Sequence, residues 1–287
     1  MSVAPLAARP APSLRGRIGR DARSGHYAVP GRYRLYLSTA CPDGLRLAVT
    51  HALLGLDAVC PVTHLPAVPD LPDGGHSALL PLYEASAHRH TGPAAAPVLG
   101  DDWSGRVVSV HAQDIMRDLA RCFGESGPAL YPCGTEGEFE AVRRLCARGV
   151  EDAAQRAGTA GADPAERAAA LDELLAALGE LERLLGADVD VSCRQTSALD
   201  VELWVTLLRL DTVHLHHLDA AAVQLIAGHR TLWAYARGLA AHPAFGPQLD
   251  LDGIARRHRA HCQGLEAAGA AVGILDWAAH AEAAGRR

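Results

Sequence analysis

The chain contains no lysine and no asparagine, so all 27 of its basic side chains are arginines. Both missing residues use A/T-rich codons, which points to a very GC-rich genome, such as that of an actinomycete. No apolar run approaches the ~20 residues that span a bilayer, and no apolar stretch of a secretory signal follows the N-terminal arginines. A membrane protein or an exported one is not expected; the expected location is the cytoplasm. An excess of positive charge is also missing. At a formal net charge of −6, the chain lacks the basic field of a nucleic-acid binder. Seven cysteines are present, at 41, 60, 122, 133, 146, 193 and 262, but no CxxC pair and no zinc-type spacing. An odd number of this kind reads as reduced thiols rather than a disulfide framework.

What is present begins with the stretch from Gly31 to Arg46. Tyr33, Leu35 and Leu37 alternate with Arg34 and Tyr36, the period of a strand. Cys41 and Pro42 follow, and then apolar residues at helical spacing from Leu45. Proline suits the first helical position because its missing N–H would find no partner there. Cys41 is therefore expected at a strand-to-helix turn, beside unpaired backbone N–H groups and the positive end of a helix dipole. Such a setting favours the thiolate and makes the sulfur a nucleophile at neutral pH. The competing role for a lone cysteine is that of a small buried hydrophobe.

Four segments are expected along the chain. Residues 1–30 form an irregular arm, within a basic N-terminal region whose arginines are Arg9, Arg15, Arg17, Arg20, Arg23, Arg32 and Arg34. Residues 31–124 read as strand, helix, strand (57–63), a Pro-, Gly- and His-rich loop (65–93), a third strand entered at Pro97, a hairpin turn at 100–105, a fourth strand (106–109) and a helix from His111. That order is α/β and thioredoxin-like. Residues 125–250 read as helices only. Leu171, Leu174, Leu175, Leu178, Leu181 and Leu185 form one face of a helix over 164–185. Ser197 and Asp200 open another as a variant capping box, and a further helix covers roughly 222–241. Residues 251–287 form a C-terminal extension expected to pack near the active site. Trp204 is expected in the core, and Gly31 and Gly44 in turns. Arg209 and Asp211 suggest a structural ion pair. The Gly74–Gly75 pair does not lie between a strand and a helix, so it is no phosphate cradle.

These residues resemble the glutathionyl-hydroquinone reductases, the Xi class of the glutathione transferase superfamily. Gly31 to Pro42 is similar to the family signature ahead of its first helix. Pro97, Val98 and Leu99 are similar to the strand that the superfamily opens with a cis-proline. Asp200 to Asp211, with Trp204 and Arg209, is similar to a family segment, as are the stretches around Ile254–His258 and Gly273–Leu275. The resemblance implies a thioredoxin-like domain followed by an all-helical domain, a homodimer, and an active site between the domains. It implies Cys41 as the nucleophile that takes sulfur from a thioether conjugate, forms a mixed disulfide and is released by a second small thiol.

The chain departs from the family pattern at several of these positions. After Cys-Pro the family has Trp-Ala-His-Arg; here Asp43, Gly44 and Leu45 precede the retained Arg46. A carboxylate at Asp43 suits the helix dipole but opposes a nearby thiolate. Where the superfamily holds the γ-glutamyl end of glutathione with Glu-Ser, alignment places His111 and Ala112, after Val110. Two pocket tyrosines become Gln155 and His214, and a third becomes Trp233. The expectation is a cysteine-dependent oxidoreductase using ergothioneine or mycothiol in place of glutathione, acting on a thioether conjugate or a peroxide. Alternatives are a true glutathionyl-hydroquinone reductase and a catalytically retired binding protein. Cys41 and Arg46 are the expected catalytic residues, Arg46 supporting the thiolate. Asp43, Ala96, Pro97, His111, Gln155, His214, Trp233 and His258 are the expected binding residues. Trp103, Trp233 or Tyr235 offers an aromatic face for a trimethylammonium. No covalently bound cofactor is expected, the small thiol acting as co-substrate. Fifteen histidines include the groups His214, His216, His217 and His258, His261, Cys262, with His88 and His90 apart. No second ligand pair stands at defined spacing, so no metal is expected; substrate contact or proton transfer is the better use of His214 and His258.

Overall fold

The computed structural model describes residues 14–19, 21–87, 90–124, 127–186, 195–262, 265–269 and 273–279. Its first half is built on a four-stranded sheet in the order β2-β1-β3-β4. Strand β1 (Tyr33–Leu37) pairs in parallel with β2 (Val62–His64) and antiparallel with β3 (Val98–Asp101), which forms a hairpin with β4 (Arg106–Ser109). The alternation in β1 is the cause of its placement: Tyr33, Leu35 and Leu37 are fully buried, Arg34 and Tyr36 only partly. Helix α1 (Pro42–Leu54) makes the parallel crossover, and α3 (Ala112–Phe123) packs beside it. This is a thioredoxin-like unit. The Ala96–Pro97 bond that leads into β3 is cis.

The region read as loop contains a short helix, α2 (Leu80–Ser86), preceded by a 3₁₀ turn at Ser77–Leu79. Pro81 sits in its first turn, the position where proline favours a helix. Gly31 has a left-handed φ of +75° and serves a turn as expected. Gly44 does not; it lies in the first turn of α1, where an added Cβ would stand 2.1 Å from the Ser38 carbonyl oxygen. It allows the helix start to approach the loop that precedes Cys41.

The second half is helical. Helix α4 (Glu136–Arg144) runs through a π-helical stretch, Leu145–Asp152, into α5 (Ala153–Ala157). Helix α6 (Pro164–Leu185) is capped by Asp163, and its leucine face buries Leu174, Leu178 and Leu181. The capping box of Ser197 and Asp200 opens α7 (Ala198–Thr212), the central helix, whose Trp204 is fully buried and meets Phe245 and Trp277 edge to face. The single helix expected over 222–241 is two, α8 (Ala220–Ala227) and α9 (Arg230–Ala240), divided at Gly228. Helix α10 (Leu251–Cys262) follows. Asp211, buried at the end of α7, accepts hydrogen bonds from the backbone N–H groups of Ile274 and Leu275 and from Trp277 Nε1, at 2.6, 3.0 and 2.8 Å. It anchors the C-terminal segment, and Arg209 pairs with Glu151 instead; the Arg209–Asp211 pair is not formed. Within the N-terminal basic region, Arg15 and Arg17 reach the buried Asp114 and Asp118 of α3 while their own side chains stay about half exposed; Arg9 and Arg20 lie outside the described residues.

Candidate active site

Cys41 is the N-cap residue of α1, in extended backbone conformation (φ −91°, ψ 134°), with Pro42 in the first turn. Its N–H donates to the Ser38 carbonyl at 3.0 Å, and its carbonyl accepts from Leu45 N–H at 2.8 Å. The sulfur caps nothing, which leaves it for chemistry. It is 8% exposed and lines a cavity of about 400 Å³ between the two halves of the molecule. The opposite wall comes from α7 (Leu208, Arg209), Gln155 of α5, and α10 with the residues after it (His258, His261, Cys262, Glu266). Thus the thiol is both at a helix N-terminus and reachable from a cavity, the two conditions that separate a nucleophile from a core cysteine. Cys60 and Cys146 show the contrast: both are sealed in the core, and burial pushes their thiols up to about 12. All six described cysteines are free.

Arg46, expected to support the thiolate, is engaged by carboxylates. It is buried and surrounded by three carboxylates: Nε lies 3.0 Å from Glu202, NH2 3.0 Å from Glu151 and NH1 3.2 Å from Asp43. Burial opposes its charge, but the three anions outweigh burial and hold the guanidinium above its ordinary range. Glu202, 4% exposed in its side chain, is pushed up by burial despite Arg46, and also accepts from Gln113 Nε2. Glu151 comes from the π-helical stretch, whose wider turn presents it to Arg46 and Arg209 at once. Arg46 therefore ties α1, and with it Cys41, to the helical half. It also offsets the Asp43 charge, which would otherwise oppose a thiolate one residue beyond Pro42.

Comparison with known proteins fits this geometry. Residues 164–238 match the glutathione S-transferase C-terminal domain family. Over 277 aligned residues the chain is 28% identical to the glutathionyl-hydroquinone reductase PcpF of Sphingobium chlorophenolicum, covering 90% of this chain and 86% of that one. It is 24% identical to the glutathionyl-hydroquinone reductase YqjG of Escherichia coli over 85% and 79% of the two chains. The chain is thus similar, over most of its length, to two glutathionyl-hydroquinone reductases. Its fold is that of the Xi-class glutathione transferases: it superposes on the enzyme of Natrialba magadii with a TM-score of 0.72 at 25% identity, covering 86% of this chain and 81% of that one. A glutathione transferase of Gordonia bronchialis gives 0.73 at 26%, over 88% and 84%.

Against that family background the remaining expected residues divide. Gln155 and His258 line the cavity with Cys41. Gln155 Nε2 donates to Glu266 Oε1 at 2.7 Å. Asp43 is half exposed and held by Arg46. Ala96 and Pro97 lie ahead of β3 and are not part of the cavity wall. His111 occupies the N-cap position of α3 without capping it through its side chain; its ring lies 3.3 Å from Asp114, and it is not part of the cavity lining. His214 is buried behind the wall, where burial pushes its imidazole down to about 3 and keeps it neutral. Trp233 is a core residue whose Nε1 donates to the Ile226 carbonyl at 2.9 Å. Tyr235 is buried with its hydroxyl on Asp200. Trp103 is 64% exposed on the β3–β4 turn and lies under the Arg32 guanidinium. None of the three aromatics suited to a quaternary ammonium faces the cavity.

Sequence inspection missed Arg257, His261, Cys262 and Glu266 as cavity-lining residues. The i, i+4 spacing of His258 and Cys262 and of Arg257 and His261 was the available signal, since it sets each pair on one face of a helix.

Proposed function

We propose that this protein is a thiol-dependent oxidoreductase that cleaves a thioether conjugate through a mixed disulfide on Cys41. The Cys41 thiolate attacks the conjugate's sulfur; the S–S bond forms as the carbon–sulfur bond breaks, and the released carbon takes a proton. A second molecule of small thiol then attacks the mixed disulfide, leaving as a symmetrical disulfide and restoring Cys41. The observation that carries this is the uncapped sulfur at a helix N-terminus on the wall of a cavity large enough for an aromatic conjugate. The names of the homologous reductases agree with it. Cys41→Ser is expected to abolish turnover while leaving the fold intact; a variant that turns over at the parent rate overturns the assignment.

The same proposal holds that the small thiol lacks a γ-glutamyl arm. At the start of α3, where the resemblance calls for Glu-Ser, His111 and Ala112 stand. Asp114, the nearest carboxylate, is occupied by Arg15, and Ser109 Oγ by the His111 N–H. An α-ammonium has no free acidic partner there. Because the aromatic faces are engaged elsewhere, the cation–π argument for ergothioneine loses its support. The polar wall of Gln155, Arg209 and Arg257 suits the hydroxyls of a sugar thiol such as mycothiol. Turnover with mycothiol and not with glutathione is the expected result. Installing the family pair, His111→Glu with Ala112→Ser, is expected to raise glutathione-dependent activity. Parent activity with glutathione equal to that with mycothiol would reject the substitution of thiol while leaving the role of Cys41 standing. We carry a cytoplasmic homodimer as part of this proposal; light scattering on the purified protein tests the dimer. No helix among the described residues is long and apolar enough to cross a membrane.

A further inference from the structure

Two histidine groups far apart in sequence meet beside the cavity. His217, from the 3₁₀ turn His214–His217 after α7, places Nε2 2.6 Å from Nε2 of His258 on α10. Glu266 Oε2 lies 2.5 Å from His217 Nε2 and 3.3 Å from His258 Nε2. Cys262, one turn after His258, completes a group of four whose ligand atoms all lie within 4.8 Å of one another. We propose that His217, His258, Cys262 and Glu266 bind a zinc ion.

Hydrogen bonds around the cluster orient its ligand atoms towards one another. His217 Nδ1 lies 2.7 Å from the Ala267 carbonyl, which can only accept, so Nδ1 carries a proton and Nε2 is the nitrogen available to a metal. That outer hydrogen bond is the arrangement by which proteins orient imidazole ligands. Glu266 is prepared in the same way: Gln155 holds Oε1, and Oε2 faces the two rings, with the Cys262 thiol beside the carboxylate. The His217 Nε2 atom, the Glu266 carboxylate, the His258 ring and the Cys262 thiol thus converge on one point, a donor set that a metal ion can gather. A tetrahedral zinc ion with ligand bonds of about 2.0–2.3 Å needs ligand–ligand separations of roughly 3.3–3.8 Å. The present separations bracket that range, so side-chain adjustments of about an ångström suffice. Two imidazoles, a thiolate and a carboxylate are a set that zinc accepts.

Four protein ligands make this a closed, structural site rather than one with an open catalytic position. Its effect would be mechanical. The ligands come from three elements, and His258, Cys262 and Glu266 are also part of the wall facing Cys41. On the other side a second cavity, about 450 Å³, is lined by His216, His217, His258 and Cys262, which opens a path for the ion. Zinc would fasten the end of α10 and the segment after it to the turn after α7, where Gly269 N–H already donates to the His216 carbonyl at 2.9 Å. It would also bind the Cys262 thiolate and leave Cys41 as the free thiol of the cavity.

The test uses the full chain, purified without a histidine tag, stripped with chelator and then given zinc alone. Expected are one equivalent retained after dialysis, a rise in melting temperature, and protection of Cys262 from iodoacetamide while Cys41 still reacts. Cobalt(II) in place of zinc is expected to give intense tetrahedral bands with a single thiolate charge-transfer band. Cys262→Ser should lose that band, and His217→Ala should lose the retained equivalent; Glu266→Gln, the milder change, should weaken retention if the alanine variant misfolds. Cys41→Ser should retain the full equivalent, which keeps this result separate from the fate of the proposed activity. No stoichiometric uptake by the parent, or uptake unchanged in Cys262→Ser and Glu266→Gln, overturns the proposal, as does loss of the metal in Cys41→Ser.

Discussion

Replacing Arg46 by methionine keeps most of its volume and removes its charge. The partners left behind are unequal. Glu202, 4% exposed, loses its neighbour at 3.0 Å; Glu151, 19% exposed, keeps Arg209 at 2.8 Å; Asp43, 52% exposed, is hydrated. The cost therefore comes mainly from one stranded carboxylate. Breaking a buried pair from one side costs about 3–5 kcal/mol, against total stabilities of about 5–15 kcal/mol. At roughly 2–4 °C per kcal/mol for chains somewhat smaller than this one, the melting temperature should fall by roughly 6–20 °C. The pH dependence follows from the direction of the Glu202 shift. Burial holds its folded-state carboxyl above the ordinary value, so its contribution to stability is greatest when it is protonated and is lost as pH rises through the folded value. Removing Arg46 pushes that value higher still. The Arg46→Met penalty should thus be largest near pH 8 and shrink towards pH 5, and adding Glu202→Gln should recover much of it. Urea unfolding of the single and double variants at both pH values measures all three effects. A loss below about 1 kcal/mol that does not change with pH would mean that the cluster is hydrated, and that Arg46 does not join the two halves through desolvated charge.

Other outcomes follow from the same geometry. Iodoacetamide under brief, native conditions should label Cys41 well before Cys60 and Cys146, whose thiols burial raises to about 12; mass spectrometry of the peptides reads the order. Gly44→Ala should lower turnover through displacement of the Ser38–Cys41 loop, because its Cβ would stand 2.1 Å from the Ser38 oxygen; a variant with parent activity would show that the loop yields freely. Asp211→Ala strands three donors in Ile274, Leu275 and Trp277, at about 1–3 kcal/mol for each donor that finds no water. Faster hydrogen exchange at residues 273–277 should accompany that loss of stability.

How much of this could be read from the residues depended on the range over which each cause acts. Cys41 as an N-cap, Pro42 in the first turn, the leucine face of α6 and the Ser197–Asp200 capping box are local patterns, and each appears where its spacing places it. Helix α2 escaped because it has seven residues inside a stretch crowded with proline, glycine and histidine, where punctuation outweighs about two turns of periodicity. The α8–α9 division escaped for the opposite reason: apolar spacing continues across Gly228 and conceals the break. Side-chain partners were the least legible. Glu151, which takes Arg46, lies 105 residues away and is presented by a π-helical turn that no spacing announces. Likewise Trp233 and His214, expected in the pocket by resemblance, are both buried in the core.

The electrostatics around Cys41 then have a simpler origin than a paired arginine. A guanidinium already held by three carboxylates carries little net field to a neighbouring sulfur, since the cluster of Arg46, Arg209, Asp43, Glu151 and Glu202 sums to two positive and three negative formal charges. As N-cap residue, Cys41 stands beside the backbone N–H groups at the start of α1, whose influence acts within one turn and is strengthened where water is excluded. Their positions depend on the Cys41 N–H to Ser38 bond, the close approach allowed by Gly44, and the attachment of α1 to α7 by Arg46 and Glu202. Arg46 thus acts on reactivity through the placement of the helix. This separates two cases by experiment: a direct charge effect would be restored in Arg46→Lys, which keeps the charge, whereas placement requires the planar fork that reaches Asp43, Glu151 and Glu202 together. If Arg46→Lys alkylates at Cys41 as fast as the parent, direct charge is the cause. Slower alkylation accompanied by lost stability assigns the effect to the anchoring of the helix.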